Sequence, residues 1–194
     1  MTVSWCRRVK AAAIAVALLA APFGAAAQQG DARPLLTATY GYGQSVAVYG
    51  IGALWHIAWG AETLARYGLD ARLGVDLLRW QVDSNAPGNH YLWNGNVTPY
   101  LRWRPAEGFW HSTFVEVGVG IQLLSENSLS SSSRFAHDFG TRFQFGERIA
   151  AGVSFGPHAR YEIAPFFQHV SNGGTKVPND GLSYFGVTVR LALE

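Results

Sequence analysis

The chain has 194 residues, of which 48% are hydrophobic and 14% charged, and a formal net charge of +2. Three of its cations fall in residues 1–27, and without that segment 12 basic residues face 13 acidic ones, with no Lys/Arg cluster of the kind an electrostatic nucleic-acid binder needs. Its one cysteine, Cys6, lies in the same segment, which excludes disulfides and thiol chemistry from the remainder.

Arg7, Arg8 and Lys10 precede the apolar run Ala11–Ala21, and Ala25-Ala26-Ala27 precedes Gln28. A basic start, a short apolar stretch and a small-residue site describe a secretory signal peptide. Cleavage is expected after Ala27, leaving residues 28–194 as one domain. A retained membrane helix fits less well, because the apolar run is short and ends in small residues. Cys6 precedes that run, so it is not placed as a lipid-anchor cysteine.

Beyond the signal no segment has the 18 or so continuous apolar residues of a membrane helix. Alternation recurs instead. Leu69, Ala71, Leu73, Val75 and Leu77 alternate with Asp70, Arg72, Gly74 and Asp76. Val115, Val117, Val119 and Ile121 alternate with Glu116, Gly118, Gly120 and Gln122. Phe139, Thr141, Phe143 and Phe145 interleave with Gly140, Arg142 and Gln144. Phe185, Val187, Val189, Leu191 and Leu193 do so with Gly186, Thr188, Arg190, Ala192 and Glu194. This period predicts about eight strands, near 34–43, 46–59, 67–81, 90–104, 110–124, 138–155, 159–170 and 182–193.

A soluble sandwich alternates too. Two features favour an outer-membrane barrel. Asp70, Arg72, Asp76, Glu116, Arg142 and Arg190 sit mid-strand opposite the apolar face, where a closed barrel would pair them in a polar lumen. Trp55, Trp59, Trp80, Trp93, Trp103, Trp110, Tyr100 and Tyr184 lie near segment ends, as interfacial girdles do. Short connections at 60–62, 105–108 and 156–158 alternate with long polar ones at 83–88, 125–134 and 172–181. The expected fold is all-β, an eight-stranded antiparallel transmembrane β-barrel with periplasmic termini.

The seventh strand then runs outward and ends in His169-Val170-Ser171-Asn172-Gly173-Gly174. Residues i and i+2 of a strand share a face, with Cα atoms roughly 6.5–7 Å apart. His169 and Ser171 are therefore neighbours, the minimum for a base-activated serine. They share parity with Ile163, Pro165 and Phe167, the more apolar set, so both should face lipid. Polar groups there are costly unless paired or functional. Asn172 and the two glycines offer an amide donor and a backbone free to turn its N–H groups toward an anion.

Other candidates are weaker. No metal-ligand spacing occurs. His56, His90, His111, His137 and His158 read as interface or loop residues, and Ser128 with Ser130–Ser133 as a solvated loop.

Phe167-Gln168-His169-Val170-Ser171-Asn172-Gly173-Gly174, followed by Lys176, Pro178-Asn179 and Gly181, resembles the C-terminal signature of the PagL family of lipid A 3-O-deacylases. Phe139–Gly146 resembles that family's penultimate region. The resemblance is dense over residues 138–194 and architectural before that. It implies a serine esterase at the outer leaflet that removes the ester-linked 3-hydroxyacyl chain at position 3 of lipid A. Ser171 matches the nucleophile, His169 the general base, and Asn172 and Gly174 the oxyanion donors. The family's acid falls on Ser183, which shares a face with Phe185 and should sit beside His169. Asp180 is the alternative third member. No metal or cofactor is implied. The partners implied are lipopolysaccharide and the outer membrane, and the reading admits a homodimer. The competing expectation is a non-catalytic structural or adhesive barrel. A porin fits poorly, because eight strands leave an interior filled by side chains.

Overall fold

A computed structural model describes residues 33–85, 87–105, 112–130 and 136–193. The expected signal peptide, Trp110, His111, Ser131–Ser133 and Glu194 lie outside the described residues.

Eight long strands close into a barrel: β1 (Leu35–Gly43), β2 (Val46–His56), β3 (Leu69–Val82), β4 (Tyr91–Trp103), β5 (Thr113–Leu124), β8 (Phe143–Phe155), β9 (Tyr161–Ser171) and β10 (Leu182–Ala192). Their order around the wall is β1-β10-β9-β8-β5-β4-β3-β2, each pair antiparallel. Closure removes the unpaired edges that an open sheet would expose. A short helix α1 (Ala61–Ala65) bridges β2 and β3. A two-residue ladder, β6 (Ser128–Leu129) with β7 (His137–Asp138), lies between β5 and β8.

The predicted strands are all present, and their period-2 pattern sorts the side chains as expected. On β5 the outward Val115, Val117, Val119, Ile121 and Leu123 are exposed, while Phe114, Glu116 and Gln122 are buried. Leaving such apolar side chains in water would cost roughly 1.5–3 kcal/mol each. A hydrocarbon surrounding removes that cost, so the outer wall is built for lipid.

Inside, charge is paired. Arg102 donates to Glu116 at 2.8 Å and to Glu162 at 2.7 Å. Arg190 donates to Glu162 at 3.1 Å and also pairs with Glu116. The Arg102 guanidinium lies 3.9 Å above the Phe114 ring. Four charges of alternating sign satisfy one another where an isolated one would be costly. Nearer the long-loop end the filling turns apolar, with Val46, Val48, Trp80, Phe139, Leu182 and Tyr184 in one buried cluster.

Three expectations change. Trp80, Tyr100 and Tyr184 are buried in the lumen, not in an outer girdle, because their even parity points them inward. Trp93 and Trp103 are exposed on the outer wall as expected. The sixth long strand begins at Phe143, not 138. Gly140 takes φ +67°, and a Cβ there would lie 2.2 Å from the Pro178 carbonyl, so the chain bends and tucks Phe139 into the barrel mouth. Arg142 therefore lies outside the lumen, on the loop, 3.4 Å from Glu126.

Candidate active site at the barrel rim

β9 alternates outward Ile163, Pro165, Phe167, His169 and Ser171 with inward Glu162, Ala164, Phe166, Gln168 and Val170. His169 and Ser171 are thus half-buried on the outer wall, at the end of the barrel that carries the long loops. The ladder registers Ser183 of β10 against His169 on one side and Glu147 of β8 on the other. Phe145 is registered against Ser171.

His169 Nδ1 lies 2.8 Å from Ser183 Oγ, a hydrogen bond across the β9–β10 ladder. A Cβ built on Gly181 would lie 3.3 Å from His169 Cε1 and 3.6 Å from Ser171 Cβ. The imidazole and the serine side chain therefore both border Gly181 at the strand end. Phe167 and Phe185 lie beneath the pair, ring centroids 5.0 Å apart. Phe143 and Phe145 form a second outward aromatic pair at 5.2 Å. The polar groups are set into an apolar wall.

Asp180 turns elsewhere. Its carboxylate accepts the backbone N–H of Asp138 at 2.7 Å, and its own N–H donates to Asp138 O at 3.1 Å. It ties two loops together and makes no contact with His169.

Asn172 also departs from expectation. Its side chain is fully buried, and Nδ2 donates to Phe139 O at 3.0 Å and to Lys176 O at 2.7 Å. Its backbone N–H donates to Asn179 Oδ1 at 3.0 Å. Every N–H of Asn172 is committed, so it braces the loop and has no donor left for an oxyanion. The strand parity explains this: Asn172 follows outward Ser171 and points inward.

Gly173 and Gly174 follow with φ +66° and +76°. Two left-handed residues in succession turn their N–H groups out of the strand ladder. A Cβ on Gly174 would meet nothing within 4 Å, so open space lies beside it.

Sequence reasoning missed two supports. Gln44 Oε1 accepts the Ser183 backbone N–H at 2.7 Å. His137, read as a loop histidine, has Nδ1 2.8 Å from Gly181 O and stacks on Phe139 at 5.8 Å. Both depend on contacts across more than 40 residues, which no local pattern carries. Among the described residues no three His, Cys, Asp or Glu side chains converge to hold a metal.

The family model described as lipid A 3-O-deacylase (PagL) matches residues 47–192. The lipid A deacylase PagL of Bordetella bronchiseptica is 30% identical over 135 residues, covering 70% of this chain and 67% of that protein. The lipid A deacylase PagL of Pseudomonas aeruginosa is 25% identical over 180 residues, covering 92% and 95%. The crystal structure of the outer membrane enzyme PagL superposes with a TM-score of 0.64 at 22% identity, over 82% of this chain and 99% of that one, which is likeness of fold. With a closed eight-stranded barrel, a His-x-Ser on its outer wall and a family match running from β2 to β10, the chain belongs to the lipid A 3-O-deacylase (PagL) family.

Proposed function

We propose that this outer-membrane deacylase works as a serine esterase, with Ser171 as nucleophile and His169 as general base. Family membership supplies the activity, hydrolysis of the ester at position 3 of lipid A, and the outer-membrane location. The observation that carries the residue assignment is the His169 Nδ1–Ser183 Oγ bond on a wall otherwise built for lipid. That bond suits the tautomer with the proton on Nδ1, leaving Nε2 bare to take the Ser171 proton.

Ser171 Oγ attacks the ester carbonyl as His169 Nε2 takes its proton. The tetrahedral oxyanion is held by the Gly174 N–H, with the Gly173 N–H beside it. Collapse breaks the acyl–oxygen bond, and the imidazolium returns its proton to the departing sugar oxygen. Water, deprotonated by His169, then releases the 3-hydroxy fatty acid and restores Ser171. Phe145, Phe167 and Phe185 offer the acyl chain an apolar seat beside the reacting carbonyl. A purely structural barrel has no use for His169, Ser171 and Ser183 on its lipid face.

Residues 1–27 are, on this reading, removed on export, which intact-mass measurement of the purified protein checks. Mass spectrometry of lipid A from cells expressing the protein tests the chemistry. Wild type should lose one 3-hydroxyacyl chain per lipid A, whereas Ser171→Ala and His169→Ala should leave lipid A intact with the barrel still folded. Wild-type deacylation by Ser171→Ala would refute the assignment.

A further inference from the structure

A serine that hydrogen-bonds an imidazole fixes its orientation but carries no charge. When His169 takes the Ser171 proton it becomes a cation on a wall of low dielectric, where an unbalanced charge is costly. Ser183 cannot balance it, and Asp180 is held by Asp138.

The opposite ladder supplies a carboxylate. Glu147 of β8 is registered directly against His169. Directly opposed residues on one face have Cβ atoms about 4.5–5.5 Å apart. Glu147 is exposed on the outer wall, with Phe145 and Ile149 along its own strand and Val119 of β5 as its other cross-strand neighbour. Its polar neighbour on that face is His169. Among the described residues, Glu147 is the one carboxylate on the outward face of the eight barrel strands; Asp70, Asp76, Glu116 and Glu162 share the inward parity. A carboxylate in that band is a cost to a barrel that only has to fold. The groups facing His169 are then Ser183 and Phe185 from β10, Glu147 and Phe145 from β8, and Ser171 and Phe167 from β9, so Glu147 is the one other charge.

We propose that Glu147 is a positioning residue for the deacylation, the counter-charge to the His169 imidazolium. The two tasks of a triad acid are divided between strands: Ser183 on β10 orients the ring, and Glu147 on β8 balances its charge. This rests on His169 being the base. The benefit falls on the charged intermediate and not on substrate binding, so it belongs in kcat.

The test uses full-chain protein refolded in detergent with purified lipid A, comparing kcat and KM for wild type, Glu147→Gln, Ser183→Glu, the double variant and Ser171→Ala. Glu147→Gln keeps the side chain's shape and should lower kcat on the order of 10–100-fold, with KM unchanged. Adding Ser183→Glu to Glu147→Gln should recover most of that loss by returning a carboxylate to the other side of the ring. Wild-type kcat in Glu147→Gln, a loss confined to KM, or a loss that Ser183→Glu does not relieve would overturn the proposal. Activity in Ser171→Ala would instead overturn the underlying assignment of nucleophile and base.

Discussion

The Asp180 carboxylate and the Asp138 main chain are joined twice, by Asp138 N–H to Asp180 Oδ2 at 2.7 Å and by Asp180 N–H to Asp138 O at 3.1 Å. The only acid near the signature in sequence is thereby a loop tie, and the hydroxyl on the neighbouring strand meets the imidazole instead. Asp180→Asn keeps an oxygen acceptor and should leave deacylation within about threefold of wild type, because a neutral acceptor still gives most of a net bond of about 1 kcal/mol. Ser183→Ala should cost roughly fivefold to tenfold in kcat by releasing the ring. Both are read in the lipid A assay; a collapse with Asp180→Asn alone would move the third role to Asp180.

Asn172→Ala should act through the loop. It would remove the two side-chain hydrogen bonds that tie the loops together at the Phe139 and Lys176 carbonyls, each worth about 0.5–1.5 kcal/mol. The expected signature is faster proteolysis of residues 136–141 and 172–181 together with reduced activity. Asn172→Asp should be worse, since it sets an anion against two carbonyl oxygens.

Gly174→Ala should leave the barrel intact, because nothing crowds that position. An L-residue at φ +76° costs about 1 kcal/mol or more, which disfavours the backbone conformer that presents the N–H. A kcat reduction of roughly fivefold to tenfold with unchanged KM is expected.

Glu162→Ala should separate stability from chemistry. Removing one acid leaves Arg102 and Arg190 with a single shared partner, Glu116, in the lumen. Breaking such a buried network costs about 3–5 kcal/mol. Denaturant unfolding of the refolded protein should show a lowered midpoint, while KM at low temperature stays at the wild-type value.

The outward placement of His169, Ser171 and Ser183 was legible in the sequence, because a strict period of two assigns faces without knowing any neighbour. The same rule, applied to Trp80, Tyr100 and Tyr184, gives the lumen; position near a segment end suggested a girdle and misled. Phe139 continued an alternating run in sequence, yet the left-handed Gly140 ends the run in space. The bracing role of Asn172 depends on carbonyls 33 residues before it and 4 after it. The register of Glu147 against His169 is set between two strands, and a single strand's pattern is silent on register.

A filled cylinder with its proposed reactive groups on the outside changes the geometry of encounter. Among the described residues, the Arg–Glu core and the Trp80–Phe139–Tyr184 packing fill the lumen with side chains, which does not favour passage of reactant or product through it. On the site proposed above, lipid A arrives by sliding sideways in its own leaflet, and the freed fatty acid departs the same way. The governing concentration is a number per area of membrane. Filling or emptying the lumen would alter how long the cylinder lasts; only the wall decides what it meets.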